Sequence, residues 1–160
     1  MPIQCEGLAL PVSKKLADAL TNIINQHNVT SDAVTINFRD PDYSAENGGF
    51  HPVEIRIEKK DSTFQICYIT DFCFVGSGYT AELAKDLDFD FQAGVFQNLF
   101  GVFPIEQATD VYQIWETNFL HYLTVFESYK IKLNLDLSKH SSGVISKVNN
   151  KNNKQGKYDA

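Results

Sequence analysis

Several stretches of this chain alternate apolar and polar residues with a period of two, and that pattern limits its fold more than any other feature. Val34–Arg39, Val53–Glu58, Phe64–Tyr68 and Tyr129–Leu137 all show it. Side chains of a strand point alternately to its two faces, so each stretch predicts a strand with one dry and one wet face. Lys59–Ser62 is a short polar turn, which makes the second and third stretches an antiparallel hairpin. Phe72–Val75 can prolong the third strand up to a turn at Gly76-Ser77-Gly78, and alternation from Leu87 to Phe91 predicts a fourth.

Helical spacing appears elsewhere. Lys14–Gln26 carries Leu16, Leu20, Ile23 and Ile24 on one stripe, with Ser13 as its cap. His27 falls at the C-terminal end, where the helix dipole favours positive charge, so it has a structural reason to be there. Phe91–Phe100 is short and apolar, stopped by Gly101, and is read as a helix. Pro104 opens a longer helix to about Phe126, with Val111, Trp115, Phe119 and Tyr122 on its stripe. The expected order is α-β-β-β-β-α-α-β. That is an α+β fold: an antiparallel sheet of about five strands with helices packed on one face. Strict alternation puts Val34, Ile36, Phe38, Val53, Ile55, Ile57, Phe64, Ile66 and Tyr68 on the dry face. Thr35, Asn37, Arg39, Glu54, Arg56, Gln65, Cys67 and Ile69 then fall on the wet one.

The 160 residues, 43% hydrophobic, suffice for one domain, placed at residues 1–137. Residues 138–160 hold five Lys against one Asp and few apolar groups, which predicts a disordered basic tail. With −6 overall and +4 in the tail, the body carries −10, which argues against nucleic acid as a partner. The N-terminus lacks the basic and apolar segments of a secretory signal, and no run approaches the ~20 apolar residues of a membrane span. A cytoplasmic protein without membrane contact is expected. Cys5, Cys67 and Cys73 form no CxxC pair. Six residues apart on one strand, Cys67 and Cys73 would be about 20 Å from each other, so free thiols are expected.

The chemistry-bearing stretch is Arg39–Pro52, about a dozen residues joining two strands where a hairpin needs far fewer. The candidate binding residues are Arg39, Asp40, Tyr43, Ser44, His51, Glu54 and Arg56. Arg39 and Arg56 share a sheet face and could clamp a small anionic ligand, or pair with Glu54, Asp71 or Asp40 and merely fix the loop. A calcium loop is set aside, because Ala45 stands where the EF-hand needs Gly and His51 where it needs Glu. His51 with Glu54 and Asp40 or Asp42 is too sparse for a zinc site, so no metal and no cofactor are expected. Asp86, Asp88 and Asp90 alternate on one strand face and read as an acidic edge that discourages pairing with other sheets. No phosphate loop, nucleophile elbow or zinc-protease motif occurs, and no catalytic residue is assigned.

The phrases Thr35-Ile-Asn-Phe-Arg-Asp-Pro41, Tyr43-Ser44 and Gly48-Gly-Phe-His-Pro-Val-Glu54 carry a resemblance, with Ile69-Thr-Asp-Phe72 and Leu87-Asp-Phe-Asp-Phe91 behind them. Over about residues 6–136 the chain resembles an uncharacterised bacterial domain-of-unknown-function family of short cytosolic proteins. The resemblance implies a compact bacterial domain and brings no activity with it.

The expected function is a non-enzymatic protein-interaction or small-ligand-binding module, using the wet sheet face and the 39–52 loop. Its partner would be a second copy of itself, another protein or a small anion. The alternative is a small hydrolase or metal-dependent phosphate-handling enzyme with His51 as acid/base.

Overall fold

The computed structural model describes residues 2–125 and 129–136. The expected basic tail, the end of the long helix at Phe126 and Leu137 lie outside them. Helix α1 (Lys14–Gln26) starts at Ser13, whose hydroxyl accepts the Leu16 amide, and it buries Leu16, Leu20, Ile23 and Ile24. His27 caps its far end, its ring nitrogen Nδ1 2.8 Å from the Ile23 carbonyl.

Strands β1 (Ala33–Arg39), β2 (Val53–Lys60), β3 (Thr63–Val75), β4 (Glu82–Asp90), β5 (Val95–Asn98) and β6 (Gly101–Pro104) follow as an antiparallel meander. Helix α2 (Thr109–Val125) then carries the chain back, and β7 (Lys130–Leu135) pairs with β1. Among the described residues the sheet has seven strands in the order β6-β5-β4-β3-β2-β1-β7. The return explains the helix. Six strand spacings of about 4.8 Å must be crossed, about 29 Å. The 17 residues of α2 rise about 25 Å and lie over the dry face to cover most of it. Tyr112, Trp115 and Phe119 pack there edge-on or tilted against Phe89 and Phe38.

Two expectations need correction. The Phe91–Phe100 run is not a helix. It turns at Gly94, forms β5, and reverses at Asn98, whose side-chain oxygen accepts the amides of Phe100 and Gly101. A short apolar run carries no periodicity, and the Asn98 turn closes a hairpin. Among the described residues the order is therefore α-β-β-β-β-β-β-α-β, with seven strands in place of about five.

Strict alternation also fails, at two bulges. On β3, Ile66 faces Ile57 and Tyr68 faces Arg56, so Cys67 is the extra residue. From there the faces exchange: Ile69 and Asp71 turn to the core side, while Tyr68 and Thr70 join Glu54 and Arg56 outside. The Cys67 carbonyl accepts the amides of Phe91 and Gln92, and burial beside Glu58 pushes its thiol up to about 12. On β4, Asp71 faces Leu87 and Phe72 faces Lys85, so Asp86 is the extra residue. A bulge re-aims the side chain it carries. The acidic edge expected at Asp86, Asp88 and Asp90 is thereby divided. Asp88 stays outside on Thr70 and Lys85, and Asp86 swings towards His51.

Cys5, Cys67 and Cys73 are free, as expected. No helix among the described residues is long and apolar enough to cross a membrane.

Candidate functional site

The 39–52 loop is shaped by one carboxylate. Asp40, 9% exposed, accepts the Asp42 amide on Oδ1 and the Phe50 amide on Oδ2, both at 3.0 Å. Ser44 and Gly48 exchange backbone hydrogen bonds, and the Ser44 hydroxyl accepts from Asn47. Gly49 then sits at φ +133°, where a Cβ would lie 2.9 Å from Asp40 Oδ2 and 3.0 Å from Tyr43 Cα. Only glycine lets the chain pass so close, and the passage delivers Phe50 and His51 to the edge of the dry face.

His51 meets two groups there that share none of its local sequence. Its Nδ1 is 2.7 Å from Oδ1 of Asp71, which the first bulge has turned inward, and 3.6 Å from Oδ2 of Asp86 at the second. Asp71 is buried, and its other oxygen accepts the Trp115 indole at 3.0 Å. The Tyr129 hydroxyl donates to the His51 carbonyl at 3.0 Å, and the Tyr43 ring lies beside the imidazole at 5.3 Å. Tyr43 is anchored in turn, its hydroxyl accepting the Phe74 amide.

These contacts set the charges. The hydrogen bond to Asp71 raises the His51 imidazole above its ordinary value. Burial opposes this, and the charges of Asp71 and Asp86 reinforce it. Burial and then the Asp71 charge hold Asp86 above the usual carboxylate range.

His51 and Asp71 form the polar end of a cleft of about 370 Å³ between α2 and the loop. Phe50, Leu87, Ile114, Trp115, Phe119 and Tyr122 supply its walls. The Phe50 and Tyr122 rings lie 4.3 Å apart, tilted by 32°, and Ile114 stands at the rim, 65% exposed.

The seven sequence candidates are divided between the two faces. His51 lines the cleft and Tyr43 supports it, while Asp40 and Ser44 hold the loop. Arg39, Glu54 and Arg56 lie on the far side of the sheet. Arg56 is engaged by Glu58, Asp136 and the Thr35 hydroxyl, and Glu54 accepts the Tyr68 hydroxyl. Arg39 is exposed opposite Lys130, in a shallow groove with Glu54, Phe72 and Leu83.

Asp71, Asp86 and Trp115 are the functional candidates that sequence reasoning did not group with His51. One local signal existed for Asp71, a single carboxylate inside the apolar run Ile69–Val75.

A seven-stranded antiparallel meander closed by a helical return, with a histidine–carboxylate cluster under the helix, defines a class of α+β protein. The chain belongs to the DUF2787 family of proteins of unknown function, whose pattern matches residues 13–134. This agrees with the resemblance seen in its residues.

Two solved structures from Vibrio cholerae are similar to it. One is the conserved hypothetical protein VC1805 of pathogenicity island VPI-2, 41% identical with a TM-score of 0.73, covering 82% of this chain and 99% of its own. That protein is itself described as sharing structural homology with the human P32 protein. The other is the hypothetical protein VC0508 of the VSP-II pathogenicity island, 39% identical with a TM-score of 0.72 and the same coverage. A search of curated proteins found no match.

Proposed function

We propose that this protein is a small-ligand-binding module whose ligand occupies the cleft under α2. The observation that carries the reading is the pairing of His51 with the buried Asp71 in a cleft whose other walls are largely apolar. Largely apolar walls with a few fixed polar groups are the usual make-up of a small-molecule site. The walls favour a flat, mainly apolar molecule. Asp71 occupies Nδ1, so Nε2 is the ring atom left for a polar group of the ligand.

The test uses N-phenyl-1-naphthylamine, a neutral aromatic fluorophore, with Trp115, the chain's one tryptophan, as energy donor. Saturable binding that quenches Trp115 is expected. Ile114→Glu, at the exposed rim, should abolish the binding without altering the melting temperature. Absence of saturable binding, or binding indifferent to Ile114→Glu, would sink the reading.

The same pair favours a second reading, His51 as the general acid/base of a small enzyme. A base oriented by a buried carboxylate, itself held by an indole, is the arrangement acid–base catalysis uses. A hydrolytic activity towards aryl esters that disappears in His51→Gln would support it, and the same activity surviving that substitution would refute it.

A further inference from the structure

We propose that His51, Asp71 and Asp86 form a three-point site for one divalent transition cation, of the Zn²⁺ or Mn²⁺ type, at the polar side of the cleft. The three side chains come from the end of the 39–52 loop, from β3 and from the bulge of β4. One ligand atom from each lies within 4.8 Å of the others.

The spacing suits a shared ion. With metal–ligand bonds of about 2.1 Å, neighbouring ligand atoms sit about 3.0 Å apart at right angles and about 3.4 Å apart at the tetrahedral angle. The distances from His51 Nδ1 to the two carboxylates, 2.7 Å and 3.6 Å, bracket those values. Small side-chain rotations bring the three ligand atoms, now within 4.8 Å of one another, onto one ion.

Charge favours it as well. Two carboxylates face one imidazole in a half-buried corner, and a divalent ion with a neutral imidazole brings the cluster to balance. The proton now shared between Nδ1 and Asp71 leaves to solvent as the ion enters.

Outer contacts are of the kind that orient ligands. Trp115 holds the Asp71 oxygen not needed for the metal, and Tyr129 holds the His51 backbone. Three protein ligands also leave coordination positions free on the cleft side. That is the pattern of sites where the metal meets a ligand or water, and closed structural sites differ from it. The assignment stands apart from the ligand reading and is tested with the metal alone.

The experiment is calorimetric titration of the full chain with ZnCl₂ after chelator treatment, followed by a nitrogen-15 spectrum of the histidine rings. One equivalent per chain is expected, with the His51 Nδ1 resonance shifted. Asp86→Asn removes a ligand that holds no short hydrogen bond, so it should leave folding intact and weaken binding about tenfold or more. Asp18→Asn, on the exposed side of α1, should leave binding unchanged. Failure to bind one equivalent, or binding that survives both Asp86→Asn and His51→Ala, would overturn the assignment.

Discussion

The indole Nε1 of Trp115 donates to Oδ2 of Asp71 at 3.0 Å, while the imidazole of His51 takes Oδ1 of the same carboxylate at 2.7 Å. A carboxylate from the middle of a strand is thus held at once by the helix above it and by the loop beside it. Asp71 keeps only 8% of its surface exposed, so these two donors replace most of its water. The contact couples the pose of α2 to the position of the loop.

Trp115→Phe tests that coupling. The phenyl ring can keep the stack on Phe119, now 4.9 Å between centroids, but it offers nothing to Oδ2. A buried acceptor stripped of its donor costs about 1–3 kcal/mol, and a loss of that size in urea denaturation is expected. Unchanged stability would show that the indole is not what satisfies Asp71.

In chelator-treated protein His51 should titrate above its ordinary value near 6.5, mainly because it is hydrogen-bonded to Asp71. The folded value is raised over the unfolded one. The pair's contribution to stability is therefore complete below about pH 6.5 and fades as pH rises through the folded value. Proton NMR of the His51 ring reads this directly, and Asp71→Asn should move the midpoint down. A wild-type midpoint at or below 6.5 would contradict the geometry.

Gly49→Ala should distort the loop. At φ +133° a Cβ lies 2.9 Å from Asp40 Oδ2 and 3.0 Å from the Tyr43 backbone. Strain of about 1–3 kcal/mol is expected, together with weaker binding of the naphthylamine probe, because Phe50 and His51 follow directly. Gly48→Ala is the control. Its Cβ meets nothing within 4 Å, so only the left-handed backbone cost of about 1–2 kcal/mol applies. Equal losses in the two variants would show that crowding at Gly49 is unimportant.

Arg56 ties β7 to the sheet through Asp136, and it also holds Glu58 and the Thr35 hydroxyl. The Arg56 hydrogen bond keeps Asp136 below the usual carboxylate range. Its share of stability is therefore present above the ordinary value of 3.8 and is lost as pH falls through the lower folded value. The pair is partly exposed and screened, so Arg56→Leu should cost no more than about 1 kcal/mol at neutral pH. The difference between variant and wild type should shrink in acid melts below pH 4. A difference that persists there would mean Arg56 acts through packing alone.

Much of the fold is legible in the chain. Alternation at Val34–Arg39 and Val53–Glu58 marks strands because burial of one face selects that pattern. The stripe Leu16, Leu20, Ile23 and Ile24 marks a helix for the same reason. The length and composition of Arg39–Pro52 marked the loop that delivers His51. The run Phe91–Phe100 misled because four-residue strands are too short to display a period, and only the pairing of β5 with β4 and of β6 with β5 makes them strands.

The sequence by itself determined five of the strand segments, where α1 begins and ends, and which loop carries the histidine. These follow from local chemistry: side-chain periodicity, a capping serine, and a connection longer than a hairpin needs. Only the tertiary structure decided that Asp71, Asp86 and Trp115 surround that histidine. Asp71 and Asp86 reach the core side because a single extra residue at Cys67 and another at Asp86 shift the register between neighbouring strands. A bulge is a property of two paired strands, so neither strand's sequence announces it. Trp115 arrives because α2 must cross the whole sheet to return the chain to β1, which sets its indole above the strand that carries Asp71.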